Sequence, residues 1–517
     1  YTWNDNDWMR NRHKNNGLKS PFSVYEMHLG SWKRNTDDPL AFYSYAQIEE
    51  TLVPYLVEMG FTHVEFMPVM EHPFDGSWGY QGTGYFAPSS RFGDPQDFMH
   101  LIEALHNANI GVILDWVPSH FPLDAHGLFQ FDGSCLYEHE DFRKGFHPDW
   151  KSYIFNLGRN EVKSFLLSNA LYWLDKFHID GLRVDAVASM LYLDYSRKEG
   201  EWIPNELGGN ENLESISFFK EFNEMVYKEF PDVQTIAEES TNWPGVSRPT
   251  FLGGLGFGMK WMMGWMNDCL KYFERNPYFR QYHQNEITFS LAYAFSENFM
   301  LPLSHDEVVH GKRALINKMP GDEWQRFANL RLLYFWMFVH PGAKLLFMGC
   351  EFAQTSEWNH DSSLDWHLLQ YEPHQRMLNY VKSLNKIYKS EPALYQKSFE
   401  GDGFEWLEFN DNQNSVLVLM RKGYNEKDDL VIVLNLTPTI RYDYRIGLPR
   451  KTNWVEIFNS DSNAYWGSNS FNSEIYPENI PWQSKNFSTV LNLSLIHISE
   501  PTRLRLISYA VFCLKKK

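Results

Sequence analysis

Eight short apolar segments between residues 23 and 348 alternate with helical stretches, and this alternation most constrains the fold that the chain can adopt. Such alternation is typical of a parallel α/β fold. In Glu161–Phe177, for example, Phe165, Ala170, Trp173 and Leu174 recur near a helical period. Eight strands with intervening helices predict a (β/α)8 barrel, also called a TIM barrel. The predicted strands are Ser23–His28, His63–Pro68, Gly111–Val117, Gly181–Val187, Gln234–Glu238, Gly258–Met262, Phe299–Ser304 and Lys344–Met348.

A doubly wound sheet is the main alternative fold, but no GxGxxG turn follows an early strand. The glycine-rich segment Gly253–Gly258 leads into a predicted strand instead of out of one, so we expect a loop there. The predicted helices are Ile48–Met59, Pro95–Ala108, Glu161–Phe177, Ser217–Phe230 and Asp322–Phe338.

After residue 391 the pattern changes to short alternating strands without a long helix, which predicts a small all-β sandwich. We therefore expect a catalytic barrel over residues 23–390 and a C-terminal β-sandwich over residues 391–492. Leu493–Arg503 is similar to the translation of a sequencing adapter, so residues 493–517 are predicted to be a non-native tail. The sandwich is then truncated and has an exposed edge. Its predicted strands are Phe404–Glu408, Val416–Met420, Leu430–Asn435 and Asn453–Phe458.

The net charge and the cysteines limit the classes of binding partner and the cellular compartment that we expect for this chain. The formal net charge of −18, with no long basic run in the body of the chain, argues against nucleic acid, whose affinity depends on Lys and Arg at phosphates. No apolar run approaches the roughly 20 residues that a membrane span needs. We expect a cytoplasmic monomer. Four scattered cysteines without CxxC spacing predict reduced thiols, not a zinc site: Cys135, Cys269, Cys350 and Cys513.

Acidic residues stand at the carboxyl ends of four predicted strands, where the loops of a barrel converge and chemistry is expected. They are Asp115, Asp185, Glu238 and Asp306. A single Asp at a strand end is more often a helix cap than a catalyst. Four carboxylates around one mouth repel one another, and this cost indicates function.

Two carboxylates on either side of a glycosidic bond make a glycosidase, and a separation of about 5 Å gives retention through a covalent intermediate. Asp185 and Glu238 lie on adjacent predicted strands. Arg183 points to the same side of its strand as Asp185, so we expect it to lower the pKa of Asp185 and keep a nucleophilic carboxylate. Glu238 needs a raised pKa to act as an acid. Glu239 is an alternative acid, but the alternation of a strand turns neighbours apart.

Four segments in this order, DWVPSH, GLRVDAV, AEES and LPLSHDEVVHGK, resemble the signature regions of the α-amylase superfamily. The stretches SWGYQGTGYFAPSSRFG, DEVVHGK and MGCEFAQTSEWN are similar to its glycogen branching enzyme subgroup, and the resemblance covers roughly residues 1–492. It implies cleavage of an α-1,4 bond in a glucan and transfer of the chain to a 6-hydroxyl, forming an α-1,6 branch. Full-length members also carry an N-terminal carbohydrate-binding β-sandwich. Residues 1–22 are therefore expected to be a linker from that missing domain.

The same resemblance implies a role for each matching residue. Asp185 is the nucleophile, Glu238 the general acid/base, and Asp306 binds sugar hydroxyls and distorts the ring. The implied substrate-binding residues are Tyr80 beneath the sugar, His120 and His305 as hydrogen-bond partners, Arg183 beside the nucleophile, and Asp115 as the group that holds the arrangement together.

The resemblance implies no metal or organic cofactor. Ser119 stands where many amylases have an Asn that helps bind calcium, and a Ser is a poorer ligand for a hard cation. Trp358 and Trp366 are candidate sugar platforms, although core packing is the commoner role. Two alternatives stay open from the residues: an α-glucan hydrolase on the same scaffold, and a catalytically silent glucan-binding protein.

Overall fold

Eight parallel strands close into a barrel in which every strand pairs with its neighbours in sequence and the last strand pairs with the first. The structure is a computed structural model and describes residues 1–35, 38, 41–472, 474–493 and 511–516. The predicted (β/α)8 barrel is confirmed. Its strands are β1 (Ser23–Met27), β2 (His63–Phe66), β3 (Gly111–Trp116), β4 (Gly181–Val184), β5 (Gln234–Ala237), β6 (Met259–Trp261), β7 (Phe299–Leu303) and β8 (Ala343–Phe347).

Side chains that point into the barrel are apolar in its lower half and ionisable near its carboxyl end. Val24 of β1 and Ile113 of β3 belong to the apolar cluster that fills the interior. Two residues further along the same strands stand Glu26 and Asp115, which are buried. Because side chains alternate along a strand, these carboxylates point into the same interior, above the apolar layer.

The helices cover the outside of the barrel and begin at well-formed caps. In three of them the cap and third residues exchange hydrogen bonds: Ser44 with Gln47, Asp94 with Asp97, and Asp322 with Gln325. The helices of ten residues or more are α1 (Asn6–Asn15), α2 (Tyr45–Met59), α3 (Pro95–Asn107), α4 (Asn160–Lys176), α5 (Leu213–Glu229), α6 (Met263–Glu274), α7 (Glu323–Val339) and α8 (Glu372–Ser390). Shorter ones span Leu29–Trp32, Phe142–Gly145, Val187–Leu191, Gln284–Thr288 and Leu315–Lys318.

Two small sheets in the loops above the barrel shape its mouth. Met70–Glu71 pairs with Gly84–Pro88 in the loop after β2, and this ribbon carries Tyr80 in its connection. After β3, the strand His120–Phe121 pairs with Ser152–Ile154, which also pairs with Phe146–His147.

Residues 1–22 contain α1, which packs beneath the barrel. Trp8 donates a hydrogen bond to Asp180 at 2.9 Å, and Asn16 donates to the backbone oxygen of Asp180 at 2.8 Å. Asp5 contacts His106 of α3 at 2.8 Å. Residues 1–22 therefore contact the barrel directly, and the division of the chain at residue 22 stays a prediction.

The C-terminal region forms two sheets that pack as a β-sandwich, as the sequence predicts. Its strands are β9 (Phe404–Asp411), β10 (Val416–Arg421), β11 (Leu430–Asn435), β12 (Arg441–Leu448), β13 (Trp454–Asn459), β14 (Phe487–Leu493) and β15 (Val511–Lys516), with a short strand at Glu474–Ile475. β12 pairs with β14 in the second sheet.

β15 lies between β11 and β13 in the larger sheet. It belongs to the range 493–517 that the sequence predicts as a non-native tail. Residues 494–510 and 517 lie outside the described residues. The foreign origin of the tail and the truncation of the sandwich stay predictions.

Candidate active site

A cleft of about 870 Å³ opens at the carboxyl end of the barrel. Its wall contains six of the eight residues that the sequence predicts for the site: Tyr80, His120, Asp185, Glu238, His305 and Asp306. The other two, Asp115 and Arg183, lie buried beneath the cleft floor. The structure therefore brings the predicted set together in one place.

Arg183 connects three of the carboxylates. Its Nη1 donates to both oxygens of Asp115 at 2.7 Å and to Oδ1 of Asp185 at 2.8 Å. Its Nη2 lies 3.3 Å from Oε2 of Glu238. The guanidinium is fully buried and its carbon lies 4.4 Å from the ring centre of Trp261. A fixed planar cation of this kind sets the relative positions of the carboxylates that it contacts.

The end of β4 also holds Glu238 through its backbone. Ala186 has a left-handed conformation, with φ of 54°, and its N–H donates to Oε2 of Glu238 at 2.7 Å. The turn directly after Asp185 therefore fixes the carboxyl group on the next strand. This contact could not be predicted from the sequence, because a backbone donor leaves no side-chain signal.

The pKa of Asp185 departs from the sequence-based expectation. Burial, the largest influence, raises the pKa of Asp185 well above its usual range and outweighs Arg183, which acts in the opposite direction. The lowering effect of Arg183 is the one expected from the sequence, but the net direction is upward. Burial also raises the pKa of Glu238, as expected for an acid. The two adjacent carboxyl groups titrate together, and burial raises the pKa of both.

Asp306 and His305 form a second charged pair across the cleft. Burial favours the neutral form of Asp306, but His305 and Arg183 outweigh it and lower the pKa of Asp306. His305 Nε2 lies 3.5 Å from Oδ1 of Asp306, and its Nδ1 lies 2.5 Å from Oε1 of Glu26. Burial lowers the pKa of His305, but Asp306 and Glu26 more than compensate and raise it to about 9.

Tyr80 and His120 line the cleft in different ways. The Tyr80 hydroxyl donates to Asp115 at 2.6 Å, and its ring lies 5.7 Å from the His305 ring at an angle of 27°. His120 uses Nδ1 with the Ser119 hydroxyl at 2.7 Å and Nε2 with the Tyr80 carbonyl at 3.1 Å. Burial lowers the pKa of His120 to about 3, so its ring is neutral.

The alternative acid Glu239 points away from the cleft. It is buried and pairs with Nζ of Lys260 on β6 at 2.5 Å. This is the outcome that strand alternation predicts. The candidate platforms Trp358 and Trp366 instead donate from their indole N–H groups to the Ser31 hydroxyl at 2.8 Å and the Trp32 carbonyl at 2.7 Å. Both indoles thus have structural partners in the core.

Several residues near the cleft were not predicted from the sequence. Trp78 stacks on His310 with ring centres 5.2 Å apart, and Trp150 packs on His147 at 3.7 Å. The signal for Trp78 was present, because it stands two residues before Tyr80 in the same motif. The remaining lining residues that were missed include Phe74, Gln81, Leu123, Lys151 and Tyr195.

One group of three possible metal ligands occurs among the described residues, at Asp75, His360 and Asp361. Asp75 already lies 3.6 Å from Arg91, and Asp361 is exposed. Neither acid is among the residues that line the cleft.

Family models match two parts of the chain. The alpha amylase catalytic domain matches residues 48–150, and the alpha amylase C-terminal all-beta domain matches residues 406–494. Two solved structures share the fold over 97% of this chain and 99% of theirs. They are an alpha-amylase from Geobacillus thermoleovorans complexed with acarbose (TM-score 0.66, 17% identity) and an Anoxybacillus alpha-amylase (TM-score 0.67, 18% identity).

Curated relatives are much more similar in sequence. A 1,4-alpha-glucan branching enzyme GlgB from Aquifex aeolicus is 60% identical over 494 residues, which are 95% of this chain and 78% of that protein. The protein of the same name from Rubrobacter xylanophilus is 57% identical over 95% of this chain and 68% of its own length.

Proposed function

This chain belongs to the 1,4-α-glucan branching enzyme family, glycosyltransferases that act on α-1,4-glucans, and from this premise we propose how its residues carry out the reaction. The observation that supports the proposal is the contact of one buried guanidinium, Arg183, with Asp115, Asp185 and Glu238. A retaining double displacement uses two carboxyl groups in the same cleft.

In the first step, Asp185 attacks the anomeric carbon of a glucosyl unit. The bond from that carbon to the bridging oxygen breaks, and Glu238 gives its proton to the departing oxygen. This step needs the proton on Glu238, and Arg183 favours that arrangement because it lies closer to Asp185 than to Glu238, 2.8 Å against 3.3 Å. Asp306 and His305 hold the hydroxyls of the same sugar.

In the second step, Glu238 acts as a base. It takes the proton from the 6-hydroxyl of an acceptor chain as that oxygen attacks the anomeric carbon. The ester bond to Asp185 breaks, and both carboxyl groups return to their starting states. The product is an α-1,6 branch with the anomeric configuration of the substrate.

The hydrolase alternative uses the same carboxyl groups with water as the acceptor. Its support is the likeness to the two alpha-amylase structures, and at 17% and 18% identity that likeness concerns the fold alone. The relatives at 57–60% identity carry the branching enzyme name. We find no feature that favours the silent glucan-binding protein, because both carboxyl groups of the double displacement are present.

We further propose that the protein works as a cytoplasmic monomer on glycogen-like chains. The described cysteines Cys135, Cys269 and Cys350 are free thiols, which suits a reducing compartment. The side chain of Cys513 lies outside the described residues. Among the described helices, none has the length and apolar character to cross a membrane.

Azide rescue of an activated donor assigns the two carboxyl groups independently. α-Maltosyl fluoride needs no acid for departure of its fluoride. With Glu238→Ala, the ester at Asp185 forms, and azide then displaces it to give α-maltosyl azide. With Asp185→Ala, azide attacks the donor directly from the opposite face and gives β-maltosyl azide.

The azide products are separated by proton NMR, whose anomeric couplings differ between the two configurations. Glu372→Gln, a change at an exposed carboxylate on α8, is the matched control and is expected to behave as the wild type. Exchanged product configurations between the two variants would contradict the assigned roles.

A further inference from the structure

Two glutamates inside the barrel, Glu26 of β1 and Glu65 of β2, lie side by side next to the active site. They are register partners on adjacent parallel strands, and both are fully buried. Register partners point to the same face of a sheet, so both carboxyl groups face the barrel interior. The mechanism above assigns neither of them a role.

Glu26 accepts hydrogen bonds on both of its oxygens from His305. The backbone N–H of His305 donates to Oε2 at 3.0 Å, and ring Nδ1 donates to Oε1 at 2.5 Å. A carboxyl group that accepts on both oxygens is suited to the ionised state. Glu26 therefore fixes the orientation of the His305 ring and requires a proton on its Nδ1.

The contacts of the other ring nitrogen of His305 favour a proton there as well. Tyr80 has one hydroxyl hydrogen, which it donates to Asp115 at 2.6 Å. Its oxygen lies 3.3 Å from His305 Nε2, so a hydrogen bond between these two atoms requires a proton on Nε2. With protons on both nitrogens, His305 is an imidazolium that faces the cleft through Nε2.

Glu65 differs from Glu26 in its contacts. Neither of its oxygens has a hydrogen-bond partner among the residues that the structure describes, and both are buried. An ionised carboxylate without partners is very costly in such a place, whereas a neutral acid costs far less. Burial first, and then Glu26, raise the pKa of Glu65 well above its usual range.

We propose that Glu26 is a positioning residue for the branching reaction: in its ionised form it holds His305 as an imidazolium toward the substrate, while its neighbour Glu65 stays a neutral acid. The inference rests on the proposed function only in giving His305 a sugar hydroxyl to bind.

The division of charge within the pair follows from the groups around it. If Glu65 were ionised, its negative charge would add to those of Glu26 and Asp115. The cations that oppose them at Glu65 are Arg183 and His305. Like charges at such distances disfavour ionisation. The charged and titratable groups that face this space from the surrounding elements are Glu26, His28, Glu65, Tyr80, Asp115, Arg183, Asp185 and Asp306.

The direct test is NMR of the protein labelled with ¹⁵N-histidine, with the His305 signals assigned by their loss in His305→Gln. In the wild type we expect both ring nitrogens of His305 to be protonated at pH 7.5. In Glu26→Gln the titration midpoint of His305 falls by about one to three pH units, since the amide keeps one acceptor but removes the charge. A neutral His305 in the wild type, or an unchanged midpoint in Glu26→Gln, overturns the proposal.

The variant Glu65→Gln tests the neutral state of Glu65 independently of Glu26. A neutral acid and an amide are similar in size and charge, so kcat/KM of Glu65→Gln is expected within about threefold of the wild type. A loss of more than about 100-fold in a folded variant means that the carboxylate is required and overturns the neutral assignment. Glu138→Gln, a change at another fully buried glutamate with an unpaired oxygen, is the matched control.

The pH dependence of kcat/KM with α-maltosyl fluoride connects the pair to the reaction. Departure of fluoride from this donor needs no acid, so the alkaline limb of its kcat/KM profile does not depend on Glu238 as an acid. We expect that limb to follow the protonation of His305. We expect the alkaline limb to move to lower pH in Glu26→Gln and to stay in place in Glu138→Gln. An unmoved limb in Glu26→Gln overturns the role in the reaction, whereas exchanged azide products reject the proposed function and leave the histidine titration intact.

Discussion

At the scale of single residues, the geometry of Arg183 is the strongest requirement of the site. Its planar group contacts Asp115 and Asp185 through one nitrogen and Glu238 through another. A lysine has the same charge but cannot span these acceptors. In Arg183→Lys we expect kcat/KM for α-maltosyl fluoride to fall by about 100-fold or more, because carboxylates displaced by about 1 Å lose their alignment.

Arg143→Lys is the control for this change. Arg143 is half-exposed and pairs with Asp141, so its replacement leaves the cleft untouched. Activity of Arg183→Lys within about threefold of the wild type would contradict the positioning role of the guanidinium.

The sequence predicted the eight site residues because each stands in a motif at the end of a strand or in the loop after it. It did not identify Glu26 and Glu65, because a glutamate within a short strand reads as the polar half of an alternating pattern. Only the closed barrel turns those positions inward, toward His305. The net direction of the Asp185 pKa could not be predicted for a related reason, since the extent of its burial depends on loops far away in sequence.

At the scale of elements, a buried histidine connects α3 to the segments beneath the barrel. His106 lies 2.8 Å from Asp5 and 2.9 Å from Asp180 through its two nitrogens. Burial disfavours the charged forms, but the attraction between the partners outweighs it. It raises the pKa of His106 and lowers that of Asp180.

These shifts predict how the free energy of unfolding depends on pH. The raised pKa of His106 contributes stability that is complete below about pH 6.5 and is lost as the pH rises through the folded-state pKa. The lowered pKa of Asp180 contributes stability above about pH 4 that is lost as the pH falls through its folded-state pKa. The contacts of His106 with these carboxylates therefore contribute most to the free energy of unfolding between about pH 4 and 6.5.

Urea unfolding at pH 5.5 and pH 8 measures this effect. His106→Gln is expected to lose more stability at pH 5.5 than at pH 8, because Asp5 and Asp180 stabilise the charged form of His106. His100→Gln, on the same helix but exposed, is expected to change little at either pH. If His106→Gln lowered the free energy of unfolding more at pH 8 than at pH 5.5, the stabilising role of the charged His106 would be refuted.

The pattern of alternation sufficed to predict the barrel strands, although several end one to three residues earlier than predicted. Residues after β4 illustrate the reason, because Asp185 and Ala186 leave the strand to contact Arg183 and Glu238. β12 and β14 were not predicted. β12 carries polar residues such as Tyr442 and Asp443 at exposed positions, so its apolar signal is confined to its end.

At the scale of the whole molecule, one apolar cluster runs from the barrel into the sandwich. Leu417 and Ile432 of the sandwich belong to the same cluster as the barrel helices, and Phe458 stacks on Phe335 of α7 with ring centres 5.5 Å apart. We therefore expect barrel and sandwich to unfold in one calorimetric transition. Two separate transitions would contradict this continuity.

Buried arginines strengthen the same interface. Arg421 of β10 donates to the backbone oxygens of Val339 at 2.7 Å and Leu394 at 3.2 Å. Arg421→Met leaves these buried acceptors without that donor, and we expect the free energy of unfolding to fall by about 1–3 kcal/mol. Arg445→Met, at a surface pair with Glu478, is the control, and an equal effect of both changes would contradict the account.

In the proposed reaction the glucosyl group on Asp185 passes to a 6-hydroxyl and not to water. Proton NMR of amylose incubated with the purified protein tests it, because α-1,6 linkages and new reducing ends give separate anomeric signals. We predict that the α-1,6 signals grow while the reducing ends stay nearly constant. Growth of reducing ends without α-1,6 signals would contradict the account and identify a hydrolase that uses the same carboxylates.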